Sequence, residues 1–116
     1  MNNELNINEP YYVKYYYDNA TNKTLMKQLT NPILLVLVDI MTSAKNGQLV
    51  LINAYTKKMI SRKLSMSDLT IQKELDKFLQ DKIMFTISKG VYRINPMYYG
   101  KGEWHDICTL RKTCGF

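Results

Sequence analysis

Two cysteines, one histidine, one tryptophan and three prolines are all this chain of 116 residues holds of those types. Each scarcity closes off a class of protein. Cys108 and Cys114 are too few to make a disulfide framework, and both fall near the end of the chain. Together with His105 they offer three metal ligands within ten positions, but a structural zinc site needs four in paired spacings, and no CxxC occurs. Free thiols and a surface histidine are therefore the reading taken, with no metal and no cofactor. Long apolar runs are also missing. The longest, Ile33 to Val38, stops at Asp39, far below the roughly 20 residues that span a bilayer. Met1-Asn2-Asn3-Glu4 shows neither a basic stretch nor an apolar one, so no secretory signal is expected and the cytoplasm is the expected compartment. An enzyme is not expected. The chain has no paired carboxylates, no Gly-rich phosphate loop ahead of a helix, and nothing to orient His105 beside Cys108.

What is abundant is apolar mass and positive charge. Hydrophobic residues make up 46% of the chain, enough for one domain with a real core. Sixteen Lys and Arg against ten Asp and Glu give +6, which suits a polyanionic partner without requiring one. Residues 1–10 are polar, end in Pro10, and read as a flexible tail before a single domain over 11–112. Tyr11-Tyr12-Val13-Lys14-Tyr15-Tyr16-Tyr17 is strand-prone. It is read as covering the core or a partner copy, in preference to stacking on unpaired bases. Asp18 to Asn22 reads as a turn.

The informative part is the order of elements after it. Asn31-Pro32 opens a helix through Met41 that is apolar on nearly every side, which places it in a core or interface. Gln48 to Ile52 is a short strand ended by Asn53. Thr56 to Leu64 reads as a helix, Ser65-Met66-Ser67 as a tight turn, and Ser67 as the N-cap of another helix with Asp68 in its first turn. Ile71, Leu75, Phe78 and Leu79 form that helix's core face. A hairpin closes the series. A two-residue loop at Lys89-Gly90 would pair Ser88 with Val91, Ile87 with Tyr92, Thr86 with Arg93 and Phe85 with Ile94. Phe85, Ile87, Tyr92 and Ile94 then face inward, while Thr86, Ser88, Arg93 and Lys89 face outward. The expected fold is α+β: a winged helix-turn-helix, mostly α-helical, with a small antiparallel sheet as the wing.

That order makes double-stranded DNA the leading partner. Lys57, Lys58, Arg62 and Lys63 are candidate phosphate contacts on the first helix of the pair. Leu69, Thr70, Gln72, Lys73 and Lys77 are the outward residues of the second. There Thr70 and Gln72 could bond base edges, Lys73 a guanine or phosphate, and Leu69 a thymine methyl. From Ser65 to Lys82 acids outnumber bases by four to three, so positive charge is expected beside this helix, on Lys57 to Lys63 and on the wing at Lys89 and Arg93. Trp104, Ile107, Cys108 and Leu110 are placed for an amphipathic helix over 104–112. That helix would pack back on the first one or pair with a second copy, with Trp104 as a core or dimer contact.

Beyond the hairpin the chain reads Gly90-Val91-Tyr92-Arg93-Ile94-Asn95-Pro96 and then Gly100-Lys101-Gly102-Glu103-Trp104. With the basic helix before them, these segments resemble the RepL-type plasmid replication proteins, over roughly Asn31 to Arg111. The resemblance implies a winged-helix fold, binding to plasmid origin DNA and a part in starting replication without catalysis. The same pattern leaves open conjugative transfer, as a relaxosome accessory at the transfer origin, or plasmid copy control. Transcriptional repression and a protein-binding scaffold are further alternatives, and a second copy or other replication or transfer proteins are further candidate partners. This chain departs from the family pattern in its short front and its acidic third helix.

Overall fold

Among the described residues, four of the five α-helices begin on a short polar side chain that accepts a backbone amide, three of them asparagines and one a serine. The structure, a computed structural model, describes residues 13–116. The tail expected at 1–10, and Tyr11 and Tyr12, lie outside the described residues. Asn22 accepts from the Leu25 amide to open α1 (Lys23–Leu29), Asn31 from Ile33 to open α2 (Pro32–Ile40), Asn53 from Thr56 to open α3 (Ala54–Leu64) and Ser67 from Thr70 to open α4 (Asp68–Gln80). Each such cap is worth about 1 kcal/mol of helix stability. Helix α5 (Trp104–Thr113) follows Glu103 without a side-chain cap. Two corrections to the sequence reading follow. Helix α3 starts at Ala54 because Asn53 caps it, and α1 occupies a stretch for which no helix was expected.

Between these helices run β1 (Val13–Tyr15), β2 (Leu49–Leu51), β3 (Met84–Ser88), β4 (Val91–Ile94) and β5 (Tyr99–Lys101). All pairings among them are antiparallel: a three-stranded sheet in the order β2-β4-β3 and a separate ribbon of β1 with β5. The fold is thus α+β with a small antiparallel sheet. No helix among the described residues is long and apolar enough to cross a membrane. The core gathers Ile33, Leu34 and Leu37 of α2, Ile60 of α3, Ile71 and Phe78 of α4, and Ile83, Met84 and Ile94, all buried to 2% exposure or less. As its composition demands, α2 is the central helix. Only Leu35 and Ile40 among its apolar residues are exposed.

The hairpin departs from the expected register. Ser88 does face Val91, but Thr86 faces Tyr92, Phe85 faces Arg93 and Met84 faces Ile94. Ile87 is the extra residue of a β-bulge, which shifts every pair behind it by one and exchanges the faces of that strand. Met84 therefore replaces Phe85 against the core, and Ile87 is left 45% exposed. Phe85 lies across from Phe116, with ring centroids 6.4 Å apart.

Two buried polar side chains tie the sheets to the helices. Gln48 is fully buried and sits at φ +49°, in the left-handed region. Its side-chain amide donates to the carbonyls of Ile94 (3.2 Å) and Tyr99 (3.0 Å), and its Oε1 accepts from the Lys101 amide (3.0 Å). Lys101 is 7% exposed and closes the C-terminal end of α2, its Nζ donating to the carbonyls of Asp39 (2.8 Å) and Met41 (2.6 Å). A cation there meets the negative end of the helix dipole. Burial draws its pKa down, while Asp39 opposes the shift.

The ribbon is held by aromatic packing, in keeping with a tyrosine strand that covers the core. The Tyr15 ring stacks on Tyr99 at 5.0 Å, and the Tyr99 hydroxyl donates to the Leu29 carbonyl at 2.6 Å. Burial, and secondarily Tyr15, pushes the Tyr99 pKa from the ordinary 10.0 up to about 12. A raised phenol pKa stabilises the fold fully below pH 10. The contribution is lost as the pH climbs toward 12, because the unfolded chain ionises first. Stepped-pH urea denaturation should therefore show a steeper loss of stability between about pH 10 and 12 in the wild type than in Tyr99→Phe. At neutral pH the variant should be weaker by about 1–2 kcal/mol through the lost hydrogen bond.

Helix α5 does not pack as expected on α2. Its buried residues Ile107 and Leu110 form a small cluster with Ala44, apart from the main core. Gly100 permits this docking. A Cβ there would stand 2.6 Å from Ile107 Cδ1 and 3.0 Å from the Tyr16 ring. Trp104 is not a core residue: it is 52% exposed, and the Arg111 guanidinium lies over both its ring, at 5.1 Å, and that of Tyr16, at 4.6 Å.

Candidate nucleic-acid interface

The turn between α3 and α4 is made by residues whose chemistry suits it. Ser65 takes the left-handed conformation as C-cap of α3, and Ser61 Oγ donates to the Met66 carbonyl at 2.6 Å. The amide of Ile52, two residues before α3, donates to the Gly90 carbonyl at 2.9 Å, so the hairpin turn lies beside the start of α3. Ala54, Lys57 and Lys58 of α3 line one shallow groove with Asp68, Leu69 and Gln72 of α4. The first turns of both helices thus line one groove, and the Lys89-Gly90 turn lies beside the start of α3.

The eleven sequence-derived residues distribute unevenly over this face. Lys58, Arg62 and Lys63 are exposed along the outer side of α3, where they line a second groove with Tyr55 and Met59. Lys73 and the turn residue Lys89 are also exposed. Leu69 is 67% exposed. The Thr70 hydroxyl belongs to the N-cap, accepting from Ser67 Oγ at 2.9 Å. Lys77 is exposed at the far end of α4 and carries the one ion pair among the described residues, with Glu74 at 3.4 Å.

Three residues are engaged more deeply. Lys57 Nζ donates to Gln72 Oε1 at 2.7 Å, and Gln72 Nε2 donates to Asp76 Oδ1 at 2.9 Å, a polar chain that joins α3 to α4. Arg93 corrects the expectation of a free, outward wing arginine. It is half-buried, its Nε donates to the Gly47 carbonyl at 2.9 Å, and it lines a groove with Lys45, His105 and Asp106 between the 44–46 turn and α5. Gly47, at φ +93°, makes the approach possible, since a Cβ there would stand 3.2 Å from the guanidinium. Of the wing cations, only Lys89 remains free at the turn.

Tyr55 was passed over because the helix was expected to start one residue later. It is 80% exposed in the first turn of α3, beside Lys58. The signal available was Asn53, which reads as well as an N-cap as it does as a strand end. Among the described residues no group of three His, Cys, Asp or Glu is placed to hold a metal ion. Cys108 and Cys114 are half-buried free thiols. Comparison of the chain with protein-family models, with curated proteins and with solved structures finds no match.

Proposed function

We propose that α2-β2-α3-α4-β3-β4 is a winged helix-turn-helix and that the chain uses it, in the cytoplasm, to bind duplex DNA without catalysis. The supporting observation is that the first turns of α3 and α4 line one groove, with the Lys89-Gly90 turn beside the α3 start and Lys58, Arg62 and Lys63, none of them ion-paired, along the outer side of α3. In this reading α4 enters the major groove and the α3 cations seat on flanking phosphates. The sheet order β2-β4-β3 agrees, since it places the strand before α3 against the wing. The resemblance in Gly90 to Pro96 and Gly100 to Trp104 makes a plasmid replication origin the preferred site, with a transfer origin or a promoter as the alternatives.

Retention of a duplex at low salt, falling steeply toward physiological salt, is the expected result of a mobility-shift titration. No retained complex at low salt would remove the proposal. The geometry also orders two substitutions. Lys73→Ala should weaken binding more than Arg93→Ala, because Lys73 is exposed on α4 while Arg93 is spent on Gly47 and should register mainly in thermal stability.

A further inference from the structure

The polar chain from Lys57 through Gln72 to Asp76 poses a problem that the DNA reading leaves unsolved. A carboxylate on the outward stripe of α4 (Leu69, Gln72, Lys73, Asp76) faces phosphates that would repel it. Within the protein it accepts from Gln72 Nε2, and a further donor in the groove would offset that repulsion. In the major groove the donors are the exocyclic amino groups of cytosine and adenine. Gln72 would ordinarily take adenine, offering an acceptor to N6 and a donor to N7. Here Oε1 already accepts from Lys57 and Nε2 already donates to Asp76, so the amide is held within this chain and keeps one N–H and one lone pair. What the chain still presents is the remaining N–H bonds of a lysine at one end and the free lone pairs of a carboxylate at the other, separated by one amide group.

We infer that Lys57 and Asp76 together read a G·C pair, Lys57 donating to guanine O6 and N7 and Asp76 accepting from cytosine N4. The inference rests on the duplex-binding reading above. Gln72 is then a positioning residue. It draws the Lys57 charge off α3 and onto the middle of the α4 face, and fixes the Asp76 carboxylate one helical turn away. Guanine is favoured over the A·T edge because it places two acceptors side by side for a cation, whereas adenine alternates acceptor and donor and calls for a free amide. The arrangement also accounts for an acidic α4 in a basic protein. Its acid lowers affinity for phosphates in general and returns it only where an exocyclic amino group supplies a donor, as cytosine does beside the guanine that takes Lys57.

Selection of bound duplexes from a randomised library, using the full chain at fixed salt, tests this. The wild type should select a G·C pair at one position, by about tenfold over A·T. Asp76→Ala should lose that preference while binding random duplex more tightly, and Gln72→Ala should lose it without that gain. Asp76→Asn, which carries both a donor and an acceptor, should move the preference toward adenine. Unchanged G·C selection by Asp76→Ala overturns the inference. So does a wild type that binds duplex while selecting no base, or only A·T pairs; either result leaves the DNA-binding reading standing. A wild type that retains no duplex at low salt removes that reading, and the inference with it.

Discussion

Gln48→Leu should cost the fold about 3–6 kcal/mol, a large part of the roughly 5–15 kcal/mol that holds a domain together. Leucine is close to the side chain in size but carries no donor or acceptor, so the loss comes from polar groups left behind. The Ile94 and Tyr99 carbonyls lose a donor, the Lys101 amide loses its acceptor, and the site is closed to water. Leaving a buried group unpaired costs about 1–3 kcal/mol each time, whereas an exposed bond is simply exchanged with solvent. The φ of +49° is retained, since leucine is no happier there than glutamine. Gln48→Gly separates the two contributions. It relieves the left-handed backbone and opens a space that water can enter, and it should cost less than the leucine variant. Urea denaturation of the three proteins gives the comparison. A loss below about 1 kcal/mol for Gln48→Leu would mean that the three partners find other bonds and that Gln48 does not join the β4 edge to β5.

What could be read from the sequence, and what could not, divides along the range of the interactions. The caps at Asn31 and Ser67, the Ser65 turn and the apolar all-round α2 depend on neighbours within four residues, and they stand where the pattern puts them. Helix α1 went unread because seven residues with Leu25 and Leu29 inward carry too little periodicity to show. The hairpin register failed for a different reason. Both registers place an apolar set inside, Phe85 with Ile87 or Met84 with Ile94, and only the bulge at Ile87 decides between them. In the candidate site the positive charges were legible, but their engagement was not. Arg93 is held by a carbonyl 46 positions earlier, and Lys57 by an amide 15 positions later. Nothing in local spacing carries such partners. The segments Ile94-Asn95-Pro96 and Gly100-Lys101-Gly102 hold the fold together in this chain. Asn95 Nδ2 donates to the Lys82 carbonyl at 2.8 Å and Lys101 closes α2, so neither enters the proposed DNA face.

The outer side of α3 carries the second large effect. The triple variant K58A/R62A/K63A should lower the slope of log affinity against log salt by about 2.7, since each lost phosphate contact removes about 0.9. Between 50 and 200 mM salt the wild type's advantage should then shrink by about 40-fold, and at 50 mM the variant should bind on the order of 10³-fold more weakly. Folding does not confound this loss. The three side chains are exposed, none is ion-paired, and Lys58 with Arg62 is a like-charged pair one turn apart, so its removal is neutral or slightly stabilising. Lys112→Ala, an equal loss of charge per site on exposed α5, controls for net charge and should leave the slope unchanged. An unchanged slope in the triple variant would take phosphate away from α3. The same groove, with Tyr55 and Met59 flanked by three cations, would then favour an acidic protein partner, and the fold would serve as a scaffold in place of a reader. A reduced slope together with retained base selection would separate the two duties of this face: the outer side of α3 holds the backbone, and the polar chain from Lys57 to Asp76, which joins α3 to α4, reads the pair between.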